Sequence, residues 1–497
     1  MTSPAVPQEL VFPDEPFRAT QPPPGPPRPF RLPEVQTFTL ANGIDVFLVE
    51  QHVLPIVSLD LTFDGGSVAD PPGKEGLASV CMAMLGEGTA DKDKLAFSEA
   101  LADLASSVSA YAGADTQGIS LSSLRQHLDA TFALFAEALL RPGFRADDFE
   151  RMIKRRIAGL EQAKGSPDAI AGRIAGPTLF GANHPYGRVP TEASLAALTL
   201  DDCRAYHARQ LHPGGARLFV VGDLTPDELR ARFAAAPLGA WQGAAPPLPA
   251  LPPPAPAAAR IVFVDVPGAS QSQVGFSHFG PPRTAPDHLA TSLAGGVFGG
   301  SFTSRINMNL REEKGYSYGA RGGFQYSRHY GVVAASASVR ADATYQALVE
   351  LQAELVALAS GARPATAAEI DREKAGAILG LPSRFASASA SLGMFRALVY
   401  HGLPLDTWSR YADELARVTP AEVAAAAGRH LDPAAAMYAV VGDGRTPVIA
   451  RDGGADRPLL RDGAPVTLRA ALELLVREGT LGPGGLLVVD ADGRPLP

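Results

Sequence analysis

Two cysteines in 497 residues, Cys81 and Cys203, both inside apolar helical patterns, exclude a disulfide framework and read as buried free thiols. No run of 18 apolar residues occurs, so no membrane span is expected. The chain has no block of like charge, and 52 acidic residues outnumber 44 basic ones for a net charge of −8. That balance offers no electrostatic footprint for nucleic acid or an anionic membrane. The N-terminus has neither a basic nor an apolar signal region, which makes a cytoplasmic location the expectation. A trimmed export signal would make it periplasmic. The ten histidines form no HxxH or HxH set. The glycine-rich stretch lacks the GK[ST] ending of a phosphate loop, and "GFSHFG" lacks the final glycine of GxSxG. NTPase and serine hydrolase chemistry therefore gain no support. His184 in "NHPYG" reads as a turn residue, and His278 as a strand residue facing a helix or solvent.

What the chain does have is an internal repeat. "LTLDDCRAYHARQLHPGGARLFVVGD" (198–223) and "VTPAEVAAAAGRHLDPAAAMYAVVGD" (418–443) align without a gap, matching Thr199 with Thr419, Leu211 with Leu431 and both VVGD ends. "DFERMIKRRIAGL" (148–160) and "EIDREKAGAILGL" (369–381) pair at nearly the same offset. Proline-rich segments separate the copies. The expected organisation is an arm at 1–34, a domain at 35–242, a linker at 243–258, a second domain at 259–443 and an extension at 444–497 outside the repeat. "FTLANGIDVFLV" reads as a hairpin around Asn-Gly. Val57, Leu59, Leu61 and Phe63 alternate with Ser58, Asp60, Thr62 and Asp64, which predicts a half-buried strand. Strands grouped with long helical patterns such as "HLDATFALFAEALL" indicate an α+β class, with each copy a sheet carrying helices on one face.

The stretch "GKEGLASVCMAML" (73–85) enters a helix from a glycine turn. Leu77, Val80, Cys81, Met84 and Leu85 form one apolar stripe, and no charge lies between Glu75 and Glu87, which predicts a buried helix. Together with "DGGSVADPPGKEGLA", "HPYGRVPTEASL" and VVGD, this segment resembles the insulinase/pitrilysin zinc metallopeptidases over roughly 35–443. In that family a helix at this place carries HxxEH, whose two histidines bind zinc while the Glu polarises water. The corresponding positions here are Ser79, Met82 and Ala83, which offer a hydroxyl, a thioether and a methyl. Zinc needs imidazole, thiolate or carboxylate. The helix that resembles the carrier of the family's further Glu ligand, "FERMIKRRIAGLEQ", has a basic centre flanked by Glu150 and Glu161.

"GGVFGGSFTSRINMNLREEKGYSYGARGGF" (295–324) looks like the family's other signature, a glycine-rich loop followed by an Arg and Tyr pair. The resemblance implies substrate contact by Gly295, Gly296, Gly299, Gly300 and Ser301, and transition-state contact by Arg311 and Tyr318. The glycines are expected to permit positive φ and close backbone approach. By resemblance the chain is the non-catalytic subunit of a bacterial two-subunit peptidase of this family. It would hold no cofactor itself and complete the site of a zinc-bearing HxxEH paralogue acting on unfolded peptide. A structural or assembly protein, or a self-contained peptide-binding homodimer, is the alternative.

Overall fold

The computed structural model describes residues 15–20 and 31–496; most of the proline-rich arm at 1–34 lies outside the described residues. Within the arm, Pro16–Ala19 form a short 3₁₀ turn. Residues 32–497 form one compact unit.

The first half builds a six-stranded sheet from β1 (Gln36–Thr39), β2 (Asp45–Glu50), β3 (Ile56–Asp64), β4 (Ser107–Ala112), β5 (Thr116–Leu124) and β6 (Arg217–Gly222). Its spatial order is β1-β2-β6-β3-β5-β4, with β2 and β6 parallel and all other pairs antiparallel. The second half repeats the plan with β7 (Ile261–Asp265), β8 (Gln271–Gly280), β9 (Ser317–Tyr326), β10 (Gly331–Arg340) and β11 (Met437–Gly442). The register repeats as well, since Leu59 faces Val220 in one sheet and Val274 faces Val440 in the other. Helices Leu200–Gln210 and Pro420–His430 open on matching capping boxes, Thr199 with Asp202 and Thr419 with Glu422. The fold is α+β with two homologous halves.

One place in the sheets is filled differently. The first sheet ends on β1, the hairpin partner of β2. In the second sheet that edge is taken by the C-terminal strand Leu486–Val488, parallel to β7. Residues 444–497 lie outside the repeat in sequence, yet they complete the second sheet, and Leu468, Leu472, Leu475 and Leu481 are fully buried in its core.

Each sheet packs its own helices on one face. Leu59 and Leu61 meet Val80, Cys81 and Phe135 in the first half, and Val274 and Phe276 meet Leu293, Leu348 and Leu351 in the second. The opposite face is covered by a helix from the other half. Helix Ala388–Tyr400 lays Leu392, Phe395 and Leu398 on Val49, Phe219 and Val221 of the first sheet. Helix Pro167–Phe180 lays Ile170 and Ile174 on Val262, Val264 and Val441 of the second. This exchange corrects the half-buried reading of β3: Ser58, Asp60 and Thr62, expected at solvent, are buried beneath helix Ala388–Tyr400. The 243–258 linker is pinned rather than loose, because Ala255 and Ala257 donate their N–H groups to Phe180 O and Thr178 O at 2.9 Å.

Candidate functional site

The helix at the zinc-motif place spans Leu77–Met84. Its N-terminus is held by Asp70, whose carboxylate accepts the N–H groups of Gly76 and Ala78, each at 2.8 Å. Burial pushes the Asp70 carboxyl up to about 6, against those two bonds, which favour its charge. The preceding turn needs glycine: Gly66 has φ 94°, and a Cβ there would lie 2.3 Å from Gly113 O. Leu77, Val80, Cys81 and Met84 point into the core, Met82 is fully buried, and Ser79 and Ala83 are half-buried. Both cysteines are buried and free; Cys81 Sγ lies 3.4 Å from Cys203 O.

Arg156, from the basic helix Ala146–Ala163, reaches this helix. Its Nη1 donates to Ser79 Oγ at 3.0 Å and its Nη2 to Ser79 O at 3.1 Å. Burial lowers the affinity of this guanidinium for its proton, and neighbouring Arg155 adds to the effect. Glu150 and Glu161 are exposed, Glu150 lying 4.0 Å from Lys154. A hydroxyl, a thioether, a methyl and a guanidinium do not fit a zinc ion, since none is an imidazole, thiolate or carboxylate and one is itself a cation. Among the described residues no group of three His, Cys, Asp or Glu side chains is placed to hold a metal.

In the second half the glycine-rich segment is helical rather than a loop. Gly295 ends helix His288–Gly295, and Gly296–Gly300 continue it as a single wide turn. None of Gly295, Gly296, Gly299 or Gly300 has positive φ, which corrects that part of the expectation. The glycines serve close packing instead. A Cβ on Gly299 would lie 2.5 Å from Gly322 N in β9, and one on Gly296 would lie 2.5 Å from the Glu373 carboxylate. Gly295, Gly296 and Gly300 wall a groove of about 470 Å³ shared with Ser301, Gly322, Glu373, Gly376 and Ala377. Ser301 Oγ is buried there without a partner. Beside the groove, Tyr326 and His288 approach with ring centroids 5.3 Å apart, and burial pushes the His288 imidazole down to about 4.

Arg311 lies in the helical stretch Met308–Glu313, 3.1 Å from Glu312 Oε1 and with its guanidinium 4.7 Å from the Phe302 ring centroid. Tyr318, on edge strand β9, is 91% exposed. No hydrogen bond joins Arg311 to Tyr318, or either of them to helix Leu77–Met84. Six residues before Arg311, Arg305, which the sequence pattern did not single out, is buried and donates to Glu369 Oε1 and Oε2 at 2.8 Å and to Pro364 O at 2.8 Å. Asn307 Oδ1 accepts the Ala320 N–H at 3.0 Å and ties the same turn to β9.

Three further polar clusters join the halves. Asp60 accepts from Tyr111 and pairs with Arg396, Asp64 bridges Arg217 at 3.0 Å and Arg328 at 2.7 Å, and Asp115 accepts from Tyr400 at 2.8 Å and from Tyr186. They border a cleft of about 250 Å³ between β3, β6 and helix Ala388–Tyr400. Burial raises the Asp60 carboxyl, and Arg396 partly offsets it. The only signal in the sequence was the polar side of the β3 alternation. The turn assigned to His184 proves buried, its Nε2 3.0 Å from Pro252 O and its ring stacked on Phe180, and His278 is buried on β8.

Family descriptions match both halves. "Insulinase (Peptidase family M16)" matches residues 45–171, and "Peptidase M16 inactive domain" matches 197–377, together more than half of the chain. The chain belongs to the insulinase family. Among relatives, this insulinase-family chain is 24% identical over 395 residues to the non-peptidase homolog YmxG of Helicobacter pylori, covering 76% of this chain and 87% of that one. Among solved structures, a peptidase M16 inactive domain from Pseudomonas fluorescens superposes with a TM-score of 0.74 at 29% identity, covering 82% of this chain and 98% of that one. A protease from Helicobacter pylori gives a TM-score of 0.76 at 18% identity, over 83% of this chain and 100% of the other, and shares the fold. No helix among the described residues is long and apolar enough to cross a membrane.

Proposed function

We propose that this insulinase-family chain is the non-catalytic subunit of a two-chain zinc metalloendopeptidase. A paralogous partner with intact HxxEH supplies zinc and the water-polarising Glu, and this chain supplies Arg311, Tyr318 and the glycine-walled groove to an unfolded peptide. The observation that carries the reading is a division of labour within one chain. The motif helix presents Ser79 to a guanidinium, whereas Arg311 and Tyr318 stand at the surface, Tyr318 almost wholly exposed. A forked cation and a phenol suit a peptide carbonyl on which negative charge grows.

The chain alone is expected to cleave no peptide. Mixed with a zinc-bearing paralogue, it should raise turnover, and Arg311→Ala or Tyr318→Phe should lower kcat by about 10- to 1000-fold, as loss of an oxyanion donor does. A structural or assembly protein of the same fold would leave turnover unchanged in both variants. Cleavage by the purified chain with stoichiometric zinc would refute the proposal.

A further inference from the structure

On helix Ala146–Ala163 and its C-cap, three basic side chains are paired with carboxylates and two are not. Arg151 meets Asp148 and Glu87, Lys154 meets Glu150, and Lys164 meets Glu192 and Asp492 at 2.8 Å. Arg155 and Arg156, side by side, have no carboxylate within ion-pair distance among the described residues. Arg156 is half-buried, and its only hydrogen bonds among the described residues go to Ser79. A desolvated guanidinium without a counter-ion is costly, so an arriving anion gains what the fold leaves unmet.

The duplication shows what space these arginines occupy. The pairing of Asp148 with Glu369 places Arg155 opposite Gly376 and Arg156 opposite Ala377. In the second half Gly376 and Ala377 line the open groove between helix His288–Gly295 and helix Ala367–Leu379. In the first half the corresponding position, between helices Leu77–Met84 and Ala146–Ala163, holds the Arg156 guanidinium, with exposed Arg155 beside it on the helix.

We propose that Arg156, oriented by Ser79 and supported by Arg155, is a carboxylate-binding site for peptides. The two bonds to Ser79 leave Nε–H and one N–H on each terminal nitrogen, a fork that matches a carboxylate edge. The carboxylate is either a peptide C-terminus or an Asp or Glu side chain. The choice of peptide as carrier rests on the proposed function, but the site needs no zinc-bearing partner.

The test is fluorescence anisotropy on the full chain with four labelled decapeptides: a free C-terminal acid without acidic side chains, its C-terminal amide, and amidated peptides with a central Glu or Gln. Binding of a carboxylate-bearing peptide should exceed that of its neutral counterpart about tenfold, and Arg156→Gln should abolish the difference. Arg156→Lys, which keeps the charge without the fork, should retain part of it, and Ser79→Ala should weaken it a few-fold. The acid/amide pair reports a C-terminal source and the Glu/Gln pair a side-chain source. Equal affinities within both pairs, or an unaltered preference in a folded Arg156→Gln protein, would overturn the site, as would competition by inorganic phosphate far stronger than by acetate. Loss of this preference alone, with Arg311 still essential for turnover alongside a partner, would leave the subunit proposal standing.

Discussion

A buried ion pair anchors the turn that precedes Arg311. Arg305 is buried, and its guanidinium is satisfied by Glu369 and two backbone carbonyls. The Arg305 bonds hold the Glu369 carboxyl at about 2, below its usual 4.5, with the Thr366 cap assisting. Because the folded value is depressed, its contribution to stability is fully present above pH 4.5 and is lost as pH falls toward 2. Glu369→Gln should cost about 2–3 kcal/mol at pH 7, since it leaves a buried guanidinium underpaired, and should flatten the loss between pH 4.5 and 2. Urea melts across that range check both. An unchanged acid limb would remove Glu369 as its source. The same scale shows what the residues alone disclosed: that Ser79, Met82 and Ala83 offer no imidazole or carboxylate is visible in the letters, but Arg156 reaches Ser79 only when two helices meet.

Among elements, the C-terminal segment carries more than its place outside the repeat implies. The strand Leu486–Val488 closes the edge that a hairpin strand closes in the first sheet, and helix Leu468–Glu478 buries its apolar stripe beneath it. Full burial of Leu468, Leu472, Leu475 and Leu481 at about 1.5–3 kcal/mol each amounts to roughly 6–12 kcal/mol. That is comparable with the whole stability of a domain, about 5–15 kcal/mol. A chain ending at Asp443 is therefore expected to aggregate or bind a hydrophobic dye, with no cooperative melt of the second half. A truncated protein melting like the full chain would show the segment to be dispensable. The match of Thr199 with Thr419 was legible in the letters, and the structure shows that each opens a capping box. The glycines at 295–300 misled only as to positive φ: composition signals freedom, but here close contacts with β9 and Glu373 demand small residues in right-handed helical backbone.

The whole molecule is held by reciprocal exchange. Each half lends a helix to the other half's sheet, and Asp60, Asp64 and Asp115 take partners from beyond residue 320. Residues 35–242 and 259–497 produced separately should each expose an apolar sheet face and stay insoluble or poorly folded, and co-expression should recover a complex that copurifies. Two halves that are soluble, monomeric and sharply melting would refute this interdependence. The sequence by itself determined the duplication, the α+β class, the absence of imidazole and carboxylate at Ser79, Met82 and Ala83, and the Arg311–Tyr318 spacing, because each is written in local periodicity or residue identity. Only the tertiary structure decided that the polar side of β3 is buried, that the tail completes a sheet and that Arg156 lies against Ser79. These depend on contacts between segments distant along the chain, and a strand's alternation records which side chains share a face without recording what will cover it.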